Sequence, residues 1–382
     1  MGEMTGAPGG DGRAAVDGRA AVDGRAWADF CDQLKAAGGK IVDHSGDDLD
    51  RLEGFRYLAR LTRAGLETFL EHGDTEFPTV PTLPYLVKIG CDNPDAHYQH
   101  VTIDPARRYR LWGPRGTVHY LGIGAYSGGY TSGSATPGRQ GYLEFNAPEQ
   151  PDARIEVVVS QERPAGTDES VRWLRTTPDT RQLIIRNFFG DRSAERSSEL
   201  AIECLDRTRS TPAPLSARRL SDGLAVAALF VHGVVDLFTG WVEDLFRARP
   251  NTLDFLPDGD AAGGWADPNQ LFRHGYWTLG PEEALLVEFT PPSCRYWNFQ
   301  LNNLWEESLD YRFLSVTVNQ HTVREEEDGS VRIVVAHRDP GVGNWMDTAG
   351  HRHGTMGLRW NQAEADVAPA CRVVPWASLA SG

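Results

Sequence analysis

Three stretches of this chain hold the residue types that move protons, bind metals or stack on rings. The densest is Asn302-Asn303-Leu304-Trp305-Glu306-Glu307-Ser308-Leu309-Asp310-Tyr311-Arg312. Two carboxylates in different surroundings divide into acid and base, because burial raises one pKa while a nearby cation lowers the other. Glu307 and Asp310 are the candidates, with Asn302 and Arg312 as polar contacts. Trp297, Trp305 and Tyr311 supply flat apolar faces suited to a sugar ring or a rigid lipid. The competing reading is a loop between strands with solvated acids, in which Asp310 pairs with Arg312 or another arginine.

The second stretch runs from Asp339 to Thr355 and contains Trp345, Asp347, His351 and His353. In extended backbone the two histidines point the same way, so with Asp347 they make a three-ligand metal set, or His351 acts as a base near neutral pH. No metal is assigned, because a His-x-His pair is common by chance and Gly341, Gly343, Gly350 and Gly354 mark a turn-rich loop. A copper monooxygenase is set aside, since the chain has no adjacent His-His pair and no disulfide framework. The third stretch, Asp92 to His100, opens with the turn former Asn-Pro-Asp. Its alternative role is to place His97, Tyr98 and His100 in a cleft between domains, where pockets commonly form. Tyr120 to Tyr130 is glycine-rich but ends in no Lys-Ser/Thr, so it is no phosphate loop. It reads as an aromatic loop over a pocket or a long hairpin. No Gly-x-Ser-x-Gly elbow is present.

The elements that must position these residues follow from periodicity. Trp27, Phe30 and Leu34 predict a helix ending at Gly38-Gly39. A second helix is expected from about Asp47 to His72 on a stripe of Leu49, Leu52, Phe55, Leu58 and Leu61, with Gly73 as its stop. Strand-like alternation fills 85–205, helix returns near Ser216 to Arg249, and alternation resumes over 276–376. The two β regions resemble each other: Trp173 is followed by Arg186, Trp345 by Arg359, and each tryptophan follows a basic, β-branched strand. The repeated arginines are expected to anchor each unit on buried carboxylates or carbonyls, or to bind an anionic substrate. The fold class expected is α+β, mainly β: a helical N-terminal region and two tandem jelly-roll-like β-sandwiches with a helical connection. The division is a flexible repeat tail (1–26), a helical region and linker (27–84), a first sandwich (85–210), a helical connection (211–265) and a second sandwich (266–382).

Composition narrows the partners. The 382 residues carry 38 Lys plus Arg against 53 Asp plus Glu, a net charge of −15, which speaks against a nucleic-acid backbone. Five scattered cysteines without C-x-x-C spacing imply neither a disulfide framework nor a zinc knuckle, so a reducing, cytoplasmic setting is expected. The apolar run Leu224 to Trp241 contains His232 and Asp236, so no membrane insertion is expected.

Gly54-Phe-Arg-Tyr-Leu-Ala-Arg-Leu, Asp92-Asn-Pro-Asp-Ala-His-Tyr, Tyr109-Arg-Leu-Trp-Gly, Asp328-Gly-Ser and Asn344-Trp-Met-Asp-Thr-Ala-Gly-His through Leu358-Arg-Trp are similar to segments of a bacterial family, domain of unknown function twelve-fourteen. The resemblance implies tandem sandwiches of nucleoplasmin or peptide-N-glycanase type with accompanying helices. It implies no activity and no cofactor. The function expected from the residues themselves is a hydrolase or lyase using acid-base chemistry on a glycoside-like or lipid-like small molecule. Glu307, Asp310, His351 and Asp347 are its catalytic candidates. Trp297, Asn302, Trp305, Tyr311, Arg312, Trp345, His97 and Tyr98 are its substrate contacts. The alternative is a non-catalytic small-molecule-binding or assembly protein, in which an exposed apolar patch would serve a homo-oligomer.

Overall fold

The structure is a computed structural model that describes residues 22–81, 87–127, 139–147, 153–166, 171–255 and 267–379, with Gln150 and Asp168 between them. The first 21 residues of the repeat tail lie outside these limits. Its last copy does not: Gly24, in the left-handed region at φ 83, begins helix α1 (Arg25–His44). This helix runs through Gly38-Gly39, where the sequence predicted its end. Ala37 and Ile41 are fully buried, and that burial outweighs a propensity cost of about 1 kcal/mol per glycine. Helix α2 (Asp48–Leu66) starts at a reciprocal capping box between Asp47 and Asp50, continues as a π turn over Glu67–Glu71 and ends before Gly73.

The first sandwich has one sheet of β1 (Ala96–Thr102), β3 (Tyr120–Ser127), β4 (Arg139–Asn146) and β7 (Thr180–Phe188), ordered β1-β7-β3-β4. Facing it are β2 (Tyr109–Pro114), β5 (Arg154–Ser160), β6 (Arg172–Arg175) and β8 (Ala201–Cys204), ordered β6-β5-β2-β8. Alternate residues, among them Leu111, Ile123, Val157 and Ile185, fill the space between the sheets. Helix α3 (Ala217–Trp241), capped by Ser216 and extended by a π turn over Val242–Phe246, leads to the second sandwich. This is the one stretch among the described residues long and apolar enough to cross a membrane, but Val231, Val234 and Phe238 are buried in a core shared with α1 and α2.

The second sandwich pairs β9 (Asp254–Phe255), β10 (Gln270–Thr278), β12 (Tyr296–Asn302), β13 (Thr317–Asn319) and β16 (His353–Asn361), ordered β13-β12-β16-β10-β9. Opposite lie β11 (Glu283–Phe289), β14 (Val331–Ala336), β15 (Trp345–Asp347) and β17 (Ala370–Pro375), ordered β15-β14-β11-β17. Strands β10 to β17 thus reproduce β1 to β8 one for one, including a single parallel pair in each copy, β5 with β6 and β14 with β15. The sequence match behind the duplication is structural to the atom: Trp173 Nε1 donates to the Ser160 carbonyl at 3.3 Å and Trp345 Nε1 to the Ala336 carbonyl at 3.1 Å.

The helical layer belongs to the second copy. Along β12 the residues Trp297, Phe299 and Leu301 enter the core, while Asn298, Gln300 and Asn302 face the other way and are fully buried all the same. Helices α1 to α3 pack with Tyr276, Leu304 and Trp305 on that side. Gly54 on α2 makes the approach close enough. A Cβ there would lie 2.4 Å from Ile41 Cγ2 and 2.7 Å from the Trp305 ring.

Candidate functional site

Two of the predicted stretches meet along helix α2. After β12 the chain turns back on itself, and the Asn303 side chain holds the turn by accepting from the Trp305 and Glu307 backbone N–H groups at 3.0 and 3.1 Å. Its Nδ2 donates to Glu53 Oε2 at 2.8 Å and to Glu307 Oε2 at 3.1 Å. His351 Nε2 donates to the same Glu53 oxygen at 2.8 Å, and Arg60 holds Glu307. The result is a chain, His351–Glu53–Asn303–Glu307–Arg60, between one helix face and two loops. One turn earlier on α2, His353 Nε2 bonds Asp50 Oδ2 at 2.8 Å.

The electrostatics show how fully this chain is used. Burial would raise Glu53, but the hydrogen bond and charge of His351 hold it below the ordinary carboxylate value. Burial would lower His351, yet Glu53 keeps it above the ordinary imidazole value. Its Nδ1 lies 3.0 Å from the Thr348 carbonyl. Both ring nitrogens therefore donate to oxygens that only accept, which leaves an imidazolium with no lone pair for a base. Glu307 is pushed up by burial despite Arg60.

The other expected site residues are dispersed. Asp310 is bound by Arg312 through two bonds of 2.8 Å at the surface. Asp347 caps the Ala349 N–H at 2.8 Å. Trp297 lies in the sandwich core and Trp305 under α2, its Nε1 donating to the Asp50 carbonyl at 2.8 Å. Trp345 packs on the outer side of β14, and Tyr311 lies between Lys88 and Arg192, 5.0 and 5.4 Å from its ring. His97 bonds Ser197 Oγ at 2.8 Å, and burial pushes it down to about 4. Among the described residues one grouping is close enough to share a cation, Asp47, Asp50 and His353. Its two carboxylates already cap α2.

Cys91 and His274, which the sequence reading passed over, form a second buried cluster with Asn302, Glu306 and Arg359. Asn302 Nδ2 and Arg359 Nη2 donate to Cys91 Sγ at 3.2 and 3.3 Å. The sulfur has room because Gly357 lies beneath it, where a Cβ would come within 2.7 Å. His274 pairs across the ladder with Gly357, and its Nδ1 is 3.7 Å from Glu306, a fully buried residue at φ 55 with no hydrogen bond to either carboxyl oxygen among the described residues. Burial would lower His274, but Cys91 and Glu306 push it up to about 9. Beside this cluster Tyr296 donates to Asp95 at 2.8 Å, Asn298 donates to Asn93 at 3.1 Å, and burial raises Asp95. Asn93 and Asp95 come from the predicted Asn-Pro-Asp turn, so that turn joins the two sandwiches.

The repeated arginines are both buried and differently clothed. Arg359 donates to Asn298 and Gln300 on β12 and to the Cys91 carbonyl. Arg186 faces Gly122 on β3, the register position that Asn298 holds in the other copy. Its Nη1 donates to Tyr126 Oη at 2.7 Å, and it lies 5.9 Å from the Tyr98 ring. A Cβ at Gly122 would sit 2.0 Å from Tyr142 Oη, and one at Gly124 2.4 Å from the Tyr126 ring, so tyrosines lie over the bare strand. Tyr120 and Tyr142 both donate to Asp267, at 3.1 and 2.9 Å.

Fold and site together define a duplicated β-sandwich protein whose second copy is sealed by helices and whose first copy carries an arginine-tyrosine face. The chain belongs to the DUF1214 family of proteins of unknown function, whose model matches residues 284–364. It is 40% identical to an uncharacterised protein from Burkholderia cenocepacia of known crystal structure, over 95% of this chain and all of that one, with a TM-score of 0.88. The crystal structure of the VPA0106 protein from Vibrio parahaemolyticus aligns at 12% identity over 91% of this chain and 99% of that one, with a TM-score of 0.47. No curated protein matches the chain.

Proposed function

We propose that the protein binds a small organic anion, a carboxylate carried on a ring or other flat body, at the outer face of β1, β7 and β3. The observation that carries this reading is Arg186 on β7, a buried guanidinium set among the rings of Tyr98 and Tyr126 beside β3, where Gly122 and Gly124 let Tyr142 and Tyr126 lie against the strand. A guanidinium matches a carboxylate in a plane, and aromatic walls favour a flat body beside it. Glu307 and His351 have no part in it, because their bonds are spent on α2. A second reading, a lyase or hydrolase acting on the same ligand, is favoured by the Arg186–Tyr126 bond, since a phenol fixed by a cation is placed to pass a proton.

The test is titration of the full chain with benzoate and with galacturonate, followed by thermal unfolding and tyrosine fluorescence. A saturable rise in Tm with at least one of them is expected. Tyr98→Phe or Tyr142→Phe should weaken binding about tenfold, the worth of one charge-linked hydrogen bond. No saturable change with either probe overturns the proposal. Binding without turnover of a galacturonide removes the second reading; turnover lost in Tyr126→Phe establishes it.

A further inference from the structure

The duplication exposes a difference on the other side of each sandwich. In the second copy the outer face of β11 and β14 is apolar, and the chain closes it with its own end. Leu286 and Val334 are buried there with Trp345, Trp376 and Leu379, and Trp376 is fixed by its Nε1 donating to the Arg338 carbonyl at 3.0 Å. In the first copy the position of Leu286 is taken by Arg110, opposite Val158 as Leu286 is opposite Val334. No closing segment lies there among the described residues. A groove of about 400 Å³ takes its place, lined by Arg110, Trp112, Arg154, Ile155, Glu156 and Val171.

We infer that this groove on β2 and β5 is a separate ligand site that takes an acidic oligosaccharide of the uronate class. Trp112 gives the aromatic surface on which the C–H face of a pyranose stacks. The Arg110 guanidinium is 4.9 Å from that ring and is locked in place by two bonds to Glu156, of 2.8 and 3.1 Å. Arg154 is exposed and has no ion pair or hydrogen bond from its side chain among the described residues, so its fork is available to a carboxylate. Glu156 accepts hydroxyls, and Ile155 and Val171 wall the groove. Glu156 and Glu203, the latter 3.5 Å from Arg110, neutralise Arg110, so the exposed Arg154 is the cation left in the groove, and on a chain of net charge −15 it answers an anionic glycan rather than a neutral one.

The experiment is isothermal titration of the full chain with trigalacturonate and, in parallel, with neutral maltotriose. Saturable binding of trigalacturonate alone is expected, weakening as salt is added. Trp112→Ala and Arg154→Ala should each reduce affinity at least tenfold, while Arg181→Ala, an exposed arginine away from the groove, leaves it unchanged. Arg154 is wholly a surface residue, so its variant decides the matter if Trp112→Ala fails to fold. The inference falls if trigalacturonate does not bind at millimolar concentration, if maltotriose binds equally, or if neither groove variant matters. It falls equally if binding is lost in Tyr142→Phe and retained in Arg154→Ala, which assigns the ligand to the Arg186 face.

Discussion

Arg186 and Arg359 stand at one position of a duplicated strand order, each opposite a β1-type and a β3-type neighbour, and little else around them is shared. Arg359 is enclosed by two amides, a carbonyl and a thiol, with helices packed beyond. Arg186 meets phenols over a glycine strand. The outer faces repeat the contrast: Leu286 lies in a cluster with Trp376, whereas Arg110 lines an open groove. At the outer faces the second copy is closed and the first open, whereas at the arginines both guanidiniums are buried, one among amides and the other among phenols. A duplicated unit supplies each half with a buried cation and a sheet face; the neighbours decide whether these act as structure or as ligand contacts. The family match at 284–364 falls within the closed copy, so the segments that looked most chemical are the ones most fully bonded.

Removing Arg359 is the harshest way to break this contrast. Arg359→Leu strips donors from Asn298, Gln300 and Cys91 and is expected to cost about 3–5 kcal/mol in urea unfolding. A loss under about 1 kcal/mol would show that the closed copy does not depend on its arginine. Next comes the seam that closes it. Gly54→Ala drives a methyl into Ile41 and the Trp305 ring, and overpacking of this kind costs about 1–3 kcal/mol. The same measurement checks it, and unchanged stability would mean that α2 is not seated as described.

That seam also shows what could be read in advance. The duplication was legible, because Trp173 and Trp345 repeat a bond that depends on strand register. The face of α2 was not. Its predicted apolar stripe includes Leu52 and Phe55, which are 70% and 45% exposed. The buried side instead carries Asp50, Gly54, Tyr57, Leu61 and Ala64. Periodicity registers apolar side chains, and here the surface being covered is polar, so the helix buries a carboxylate and a glycine. Glu53, Arg60 and Cys91 were missed for the same reason: their partners are up to 298 residues away, and no local spacing marks them. Glu307 and His351 were read as one site and do meet, but only through Glu53 and Asn303: Glu53 takes the His351 N–H, and Glu307 is held by Asn303 and Arg60.

A gentler probe of the seam is pH. Glu53 lies below its ordinary 4.5 in the folded chain, so its contribution is present above that value and fades as pH falls through the folded one. His351 lies above its ordinary 6.5, so its contribution is full below that value and fades as pH rises through the folded one. The pair therefore contributes most between 4.5 and 6.5. Urea midpoints measured from about pH 4 to about pH 9 should differ most between the wild type and Glu53→Gln inside that window and converge outside it. Parallel profiles would show that no charged pair closes the seam.

The smallest effect separates the two kinds of carboxylate in the 302–312 loop. Glu307 is buried with Arg60 and Asn303, whereas Asp310 is exposed with Arg312 in solvent. Water screens the Asp310 pair and side-chain entropy opposes it, so Asp310→Asn is expected to change stability by less than about 0.5 kcal/mol. It should also leave binding at the Arg186 face untouched, because Asp310 has no contact there. A loss of several kcal/mol, or of ligand binding, would return Asp310 to the site and place the chemistry in the closed copy after all.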